Sequence, residues 1–186
     1  SATATVSRTD LSKSVLASGT IEAAQLVSVG AQVSGQLQTL AVGLGDTVQK
    51  GDLIAQIDSS DQRADVLRAE AAQKQLLAQI AAKEASIHLA ELSLKRQATL
   101  NSRALSSDET REAAVAQAEL DGLKAQLDEA AVTLTSAQTE LARTRISAPI
   151  SGTVVAVVSE EGTTLNANTS SPTIVKLAQL DHMVVK

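Results

Sequence analysis

Apolar and polar positions divide the chain into three blocks with different periods. Residues 27–58 are rich in Val and Gly. Residues 59–145 are rich in Ala, Leu, Gln and Glu and contain no proline. Residues 146–176 return to Val, Gly, Thr and Ser. The middle block has the clearest period. Leu120, Leu127, Leu134 and Leu141 recur every seven residues, and Ala116, Leu123, Ala130 and Ala137 fall four residues before each of them. An apolar pair repeated on this spacing makes a heptad seam along one side of a helix, where a second helix can pack. Ala at one of the two seam positions lets the helices approach closely. Gly122 is the weak helix former in this stretch, at about 1 kcal/mol relative to Ala.

The first half of the middle block is less regular. Leu76, Ile80, Ile87, Ala90 and Leu94 share one face, and Lys83 falls on the same stripe. The Lys83 charge is expected to extend to solvent. A helix starting near Asp61 would run about 60 Å at about 1.5 Å per residue. Between the halves lies Asn101-Ser102-Arg103-Ala104-Leu105-Ser106-Ser107-Asp108-Glu109. Ser106 and Glu109 have the spacing of a capping box, and Asp108 and Glu109 suit the positive end of a helix dipole. One helix is predicted to end near Asn101 and the next to begin near Ser107. So short a connection between two seamed helices implies an antiparallel coiled-coil hairpin.

The flanking blocks contain a repeat. Val29-Gly30-Ala31-Gln32-Val33-Ser34-Gly35-Gln36-Leu37 aligns with Ile146-Ser147-Ala148-Pro149-Ile150-Ser151-Gly152-Thr153-Val154 at an offset of 117 residues. The offset continues through Leu40 with Val157, Gly45 with Gly162, Thr47 with Thr164 and Val48 with Leu165. Each copy reads as strand, Ser-Gly turn, strand, Gly turn, strand. Gly45 and Gly162 are expected at positive φ. Neither copy has enough apolar surface to fold alone, so the two are expected to face each other over a shared Val/Ile/Leu layer. The fold class is α+β: a β sandwich in two halves, residues 27–58 and 146–176, split by an inserted helical hairpin, residues 59–145. Residues 1–26 and 177–186 carry short alternating runs and read as partial strands of a further β domain.

Composition narrows the function. The chain has no Phe, Tyr or Trp, so a thick globular core is not expected. It has no cysteine, which removes disulfides and thiolate metal sites. Net charge is −5 with both signs mixed along the chain. Without a basic patch or a stacking platform, nucleic-acid binding is not expected. No apolar run approaches the roughly 20 residues that span a bilayer. The chain opens at Ser1 without a signal peptide, as a processed or truncated product would.

Chemistry at individual residues is sparse. His88 lies in the coiled coil and His182 near the end of the chain, neither with a companion nucleophile or metal-ligand spacing. Asp58, Asp61 and Asp65 cluster where a helix starts, and they are expected to cap it and complement its dipole. No catalytic residue, metal site or cofactor is expected.

Gly45-Asp46-Thr47-Val48-Gln49-Lys50-Gly51-Asp52-Leu53-Ile54 resembles the turn of lipoyl and biotinyl domains. The lysine that would carry a cofactor is missing, because the place where it would stand reads Asp58-Ser59-Ser60. Val33-Ser34-Gly35, then a coiled coil, then Ala148-Pro149-Ile150-Ser151-Gly152 is similar to the HlyD-like periplasmic adaptors, or membrane fusion proteins. Val29 to Leu37 and Thr144-Arg145-Ile146-Ser147-Ala148-Pro149 are most similar to the MacA-type adaptors of ABC efflux pumps.

The resemblance covers nearly the whole chain and makes the sandwich lipoyl-like. It implies a non-enzymatic periplasmic adaptor attached to the inner membrane, forming a homo-hexamer. The adaptor would bridge an ABC transporter to a TolC-like outer-membrane channel for small-molecule export. An RND-type pump or a type I secretion system is the alternative partner. An Arg, a Leu and a Ser near the hairpin tip contact the channel in the family. Arg96 and Leu100 match the first two, and either Ser106 or Ser107 matches the third. MacA-type adaptors also carry a Gln in a loop ringing the central pore. The loop here reads Ser159-Glu160-Glu161-Gly162, so Glu160 and Glu161 are pore-loop candidates, with Glu161 the better match.

Overall fold

The repeat found in the sequence is also a repeat of hydrogen bonds. The structure, a computed structural model, describes residues 21–101 and 107–185, together with 3–5, 8, 13 and 14. The first half supplies β1 (Ile21–Gly30), β2 (Gly35–Leu40), β3 (Thr47–Val48) and β4 (Leu53–Ile57). Two helices follow, α1 (Ser60–Asn101) and α2 (Ser107–Arg143). The second half supplies β5 (Arg145–Ser147), β6 (Gly152–Val157), β7 (Thr164–Leu165) and β8 (Thr173–Val185).

The strands form two four-stranded sheets, ordered β1-β8-β6-β3 and β5-β4-β2-β7. Moving each strand to its counterpart in the other half converts one order into the other. Each sheet therefore takes two strands from each half. Individual bonds obey the same exchange. Leu37 N–H donates to the Thr163 carbonyl at 2.8 Å, and Val154 N–H donates to the Asp46 carbonyl at 2.9 Å. Gly162 N–H donates to Leu37 O, and Gly45 N–H to Val154 O, both at 2.8 Å. Past β7 the second half carries three extra residues, so Ala31 N–H meets Pro172 O where Ala148 N–H meets Asp52 O.

The core follows from this exchange. Leu37, Val154, Ile54, Ile174, Ile57 and Leu177 are fully buried, in equivalent pairs drawn from both sheets. Full burial of such side chains contributes about 1.5–3 kcal/mol each. With no aromatic side chain available, the layer is built from aliphatic branches alone.

The hairpin shows the expected heptads. Leu120 is buried, and Ala116, Leu123, Leu127, Ala130, Leu134, Ala137 and Leu141 are half-buried, while Gly122 faces solvent. On α1 the partly or fully buried positions include Ala69, Leu76, Ile80, Lys83, Ile87 and Leu94. At about 1.5 Å per residue α1 is about 63 Å long and α2 about 55 Å. Lys83 does not stand free in solvent as its sequence position led us to expect. It stays in the seam with its side chain 28% exposed and forms an ion pair with Glu119 of α2. Lys124 and Glu84 form a second cross-helix pair at 3.8 Å.

Two glycines make the sheets sensitive in different ways. A Cβ on Gly152 would stand 2.5 Å from the backbone oxygen of Ala178, in the neighbouring strand β8. Gly162, at φ 87°, would meet nothing within 4 Å. Gly152→Ala is therefore expected to destabilise by about 2–4 kcal/mol, since backbone must move. Gly162→Ala is expected to cost only about 1–2 kcal/mol of left-handed strain. Urea denaturation of the two variants measures the difference, and equal losses would contradict this packing.

Candidate functional site at the hairpin tip and acidic loop

The far end of the hairpin is set by the two helix lengths. Arg96 in α1 and Ser107 in α2 each stand about 54 Å along their helix from the end nearest the sheets. The antiparallel register that pairs Lys83 with Glu119 sets them close to level across the hairpin. Arg96 is exposed. Leu100 lies in the last turn of α1, and Ser107 is the first residue of α2. The side chains of Leu100 and Ser107 lie outside the described residues, as does all of Ser106 with its capping box. The structure thus brings Arg96, the last turn of α1 and the first turn of α2 to one end of the molecule. Asp108 and Glu109 occupy that first turn, where the helix dipole favours acidic side chains.

The acidic loop lies between β6 and β7, and it is tightly held. Val158 N–H and Ser159 N–H both donate to the Ile174 carbonyl, at 2.8 and 3.2 Å. The Ser159 hydroxyl donates to Thr173 O at 2.9 Å. Thr163 N–H closes the turn onto Glu160 O at 3.2 Å. Glu161 and Glu160 are both exposed, but they are not alike. The Glu161 carboxylate accepts the Leu40 N–H at 2.9 Å, which ties the loop to β2. The position equivalent to Glu161 in the first half is Leu44, which is 70% exposed.

The root of the hairpin carries a polar network that the sequence did not reveal. Thr144, the one residue between α2 and β5, is buried. Its hydroxyl donates to Leu141 O at 2.6 Å and accepts from Gln56 Nε2 at 3.2 Å. Ile57 N–H donates to Thr144 O at 2.8 Å, so the two chain crossings at the root are bonded to each other. On the α1 side, Asp58 Oδ1 accepts from the Ser60 hydroxyl at 2.7 Å and the Ser60 N–H at 3.1 Å. Asp65 is paired with Arg68, and Asp61 lies in the first turn of α1. Among the described residues no group of three or more His, Cys, Asp or Glu could hold a metal ion. His88 is exposed on α1, and the side chain of His182 lies outside the described residues. No helix among the described residues is long and apolar enough to cross a membrane.

The Ser60 hydroxyl, the Ser60 N–H and nearby Arg63 hold the Asp58 carboxyl below its ordinary pKa. A carboxyl lowered on folding stabilises the native state above its unfolded pKa, and the effect fades as pH falls through the folded value. Asp58→Ala is expected to melt below the parent at neutral pH. The deficit should close as pH drops from the ordinary carboxylate range past the lowered Asp58 value. Thermal melts across that window test it, and a deficit independent of pH would rule out the ionised cap.

Comparison with known proteins adds an independent line. Residues 25–177 match the family described as RND MFP, barrel-sandwich hybrid domain. The chain is 38% identical over 182 residues to the macrolide export protein MacA of Escherichia coli O157:H7, covering 95% of this chain and 49% of that protein. It is 41% identical over 188 residues to the pyoverdine export membrane fusion protein PvdR of Pseudomonas putida, covering 98% and 48%. The crystal structure of MacA from Actinobacillus actinomycetemcomitans aligns with a TM-score of 0.81 at 37% identity, over 89% of this chain and 52% of that one. The chain spans about half the length of the curated relatives it matches.

Proposed function

The chain belongs to the membrane fusion protein family, and from that membership we propose that it serves as the periplasmic adaptor of an export pump for small molecules. The observation that carries this reading is the long antiparallel hairpin inserted between interlocked half-sheets, within a match that runs unbroken from residue 25 to 177. Names of the relatives, macrolide export and pyoverdine export, support a small-molecule cargo. The adaptor attaches to the inner membrane, assembles as a homo-hexamer and couples an ABC transporter to a TolC-like outer-membrane channel. It bridges these partners and catalyses no reaction.

In this reading residues 27–58 and 146–176 form a lipoyl-like domain, and residues 59–145 are the bridging hairpin. Residues 1–26 and 177–186 belong to a further β domain nearer the membrane. Support for that last assignment is the β1–β8 pairing, which runs on from Leu177, itself in the sandwich core, past the last β6 pairing at Thr153↔Ala178 and outward to Ile21↔Val185. Arg96, Leu100 and one of Ser106 and Ser107 make the channel contact. An RND-type partner is the second reading, favoured by the wording of the family description. The transporter that co-purifies with the full-length protein separates the two.

A photo-crosslinker replacing Leu100 in the full-length protein, in cells, tests the bridge. An adduct with an outer-membrane channel is the expected result. A probe shown to be accessible and reactive that gives no channel adduct would remove the tripartite reading.

The acidic loop faces the shared passage of the assembly in this reading. Glu161 is engaged with Leu40 N–H, so Glu160 is the carboxylate that meets a passing solute. Glu160→Gln is expected to lower the transport of a cationic substrate about two- to fivefold relative to a matched anionic one. Glu161→Gln is expected to loosen the loop, read as faster proteolysis, with a smaller change in that ratio. Equal transport of both substrates, unchanged by either variant, would refute a charge filter at this loop.

A further inference from the structure

We infer that the distal part of the hairpin carries a groove for a drug-sized hydrophobic cation. The seam changes character beyond the Lys83–Glu119 pair. Just on the sheet side of it, Ile80 and Leu120 are 8% and 5% exposed and close the seam, and a smaller groove of about 380 Å³ beside Ala69, Leu76 and Ala130 follows. Toward the tip the facing residues are Ile87, Ala90 and Leu94 on α1 and Ala113 and Ala116 on α2. Ala90 keeps the heptad spacing from Lys83 yet is exposed, as is Ala113. Methyl groups on both sides do not span a gap sized for Leu. The result is an open groove of about 590 Å³, inside the range of roughly 300–1,000 Å³ typical of small-molecule sites. From Ile87 to Gln97 it runs about 15 Å along α1.

The floor is aliphatic, and the rim is acidic. Glu91, Glu109 and Glu112 line it, and no lining residue is Lys or Arg. Glu109 makes a further interaction of its own, so the inference rests on Glu91 and Glu112. The Gln117 amide is turned to Asp121 at 3.0 Å. A lipophilic cation would gain apolar contact along the floor and face two carboxylates at the rim. An anion of the same shape would gain the contact and meet repulsion. This groove is separate from Arg96, which does not line it, and the inference stands apart from any channel contact.

Tetraphenylphosphonium and tetraphenylborate, matched in shape and opposite in charge, are the probes. The chain contains no Phe, Tyr or Trp, so once the ring protons of His88 and His182 are assigned, the remaining nuclear Overhauser contacts between aromatic protons and protein methyls come from the probe. Saturable phosphonium binding with contacts to the methyls of Ala90, Leu94 and Ala113 is the expected result. Borate should bind at least about tenfold more weakly. Glu91→Gln with Glu112→Gln should lower phosphonium affinity about tenfold and narrow the gap to borate. Ala113→Leu fills the groove and extends the seam, so binding should be lost while the melting temperature holds or rises. Should that variant fail to fold, Ala90→Leu fills the same space from α1. Equal affinity for the two probes, unchanged phosphonium binding in a folded groove-filling variant, or contacts at other methyls would each overturn the inference. The last two outcomes would leave the groove open to a partner helix instead.

Discussion

The hydrogen bond from Ile57 N–H to the Thr144 carbonyl, 2.8 Å long, joins two residues that 86 others separate in sequence. It forms because neither half of the β unit can bury its apolar residues alone. β4 must lie beside β5, and β1 beside β8, for the Val/Ile/Leu layer to close. Once those pairings exist, the chain leaves the sheets at Ile57 and returns at Thr144 through adjacent points. Everything between them must go out and come back. The antiparallel hairpin is thus imposed by the sheets, and the heptads then determine how straight and how closely the helices run. The cost of closing so long an insertion grows only logarithmically with its length, and the packing of its own seam offsets that cost.

The absence of aromatic residues acts on both parts. In the β unit, aliphatic pairs such as Leu37 with Val154 and Ile54 with Ile174 fill a thin layer to zero or near-zero exposure. In the hairpin, two helices alone cannot enclose a core, so among the described residues only Ala69, Ile80 and Leu120 become buried there. Most seam residues stay half-exposed. Cross-helix ion pairs at Lys83–Glu119 and Lys124–Glu84 lie next to the best-packed layer. Exposed pairs of this kind contribute about 0–1 kcal/mol. Their larger effect is on register, since a sliding helix would leave the Lys83 ammonium against apolar neighbours. A defined register is what places Arg96 opposite the start of α2 at the tip.

Much of this was legible in the sequence because it rests on period. The seven-residue recurrence from Leu120 to Leu141 and the 117-residue offset are properties of one chain, readable without contacts. What was not legible depends on which residue faces which. Lys83 looked like a solvated interruption of a stripe, because its partner Glu119 is 36 residues away and belongs to the other helix. Thr144 stood out in the sequence only as part of the Thr144–Pro149 resemblance, and its buried hydroxyl network with Gln56 and Leu141 needs the sheets in place. The distal groove was hidden for the opposite reason. Ala90 continues the apolar pattern faithfully, and only the facing alanines reveal that the pattern encloses nothing. At the tip, the matched residues Leu100, Ser106 and Ser107 remain assignments of sequence, with Arg96 alone placed by its side chain.

The internal repeat also separates what the fold requires from what it permits. Where the two halves agree, as at Gly35 and Gly152 or at Leu37 and Val154, the architecture accounts for the residue. Where they disagree, the architecture tolerates either choice. Leu44 and Glu161 occupy equivalent positions, one an exposed apolar side chain and the other a carboxylate tied to Leu40 N–H. The first half makes its turn with Leu44 at this position and closes it locally, the Asp46 carboxylate accepting the Gly43 N–H at 2.8 Å, so a carboxylate at the Glu161 position itself is not a condition of the fold. Glu161 therefore stiffens a loop that the sheet would form anyway, and it does so in one half only. Tied across to β2 through Glu161, the loop presents Glu160, exposed at its turn, from a defined position. That asymmetry, set against an otherwise exchangeable pair of halves, is the strongest internal reason to look for function on this side of the β unit.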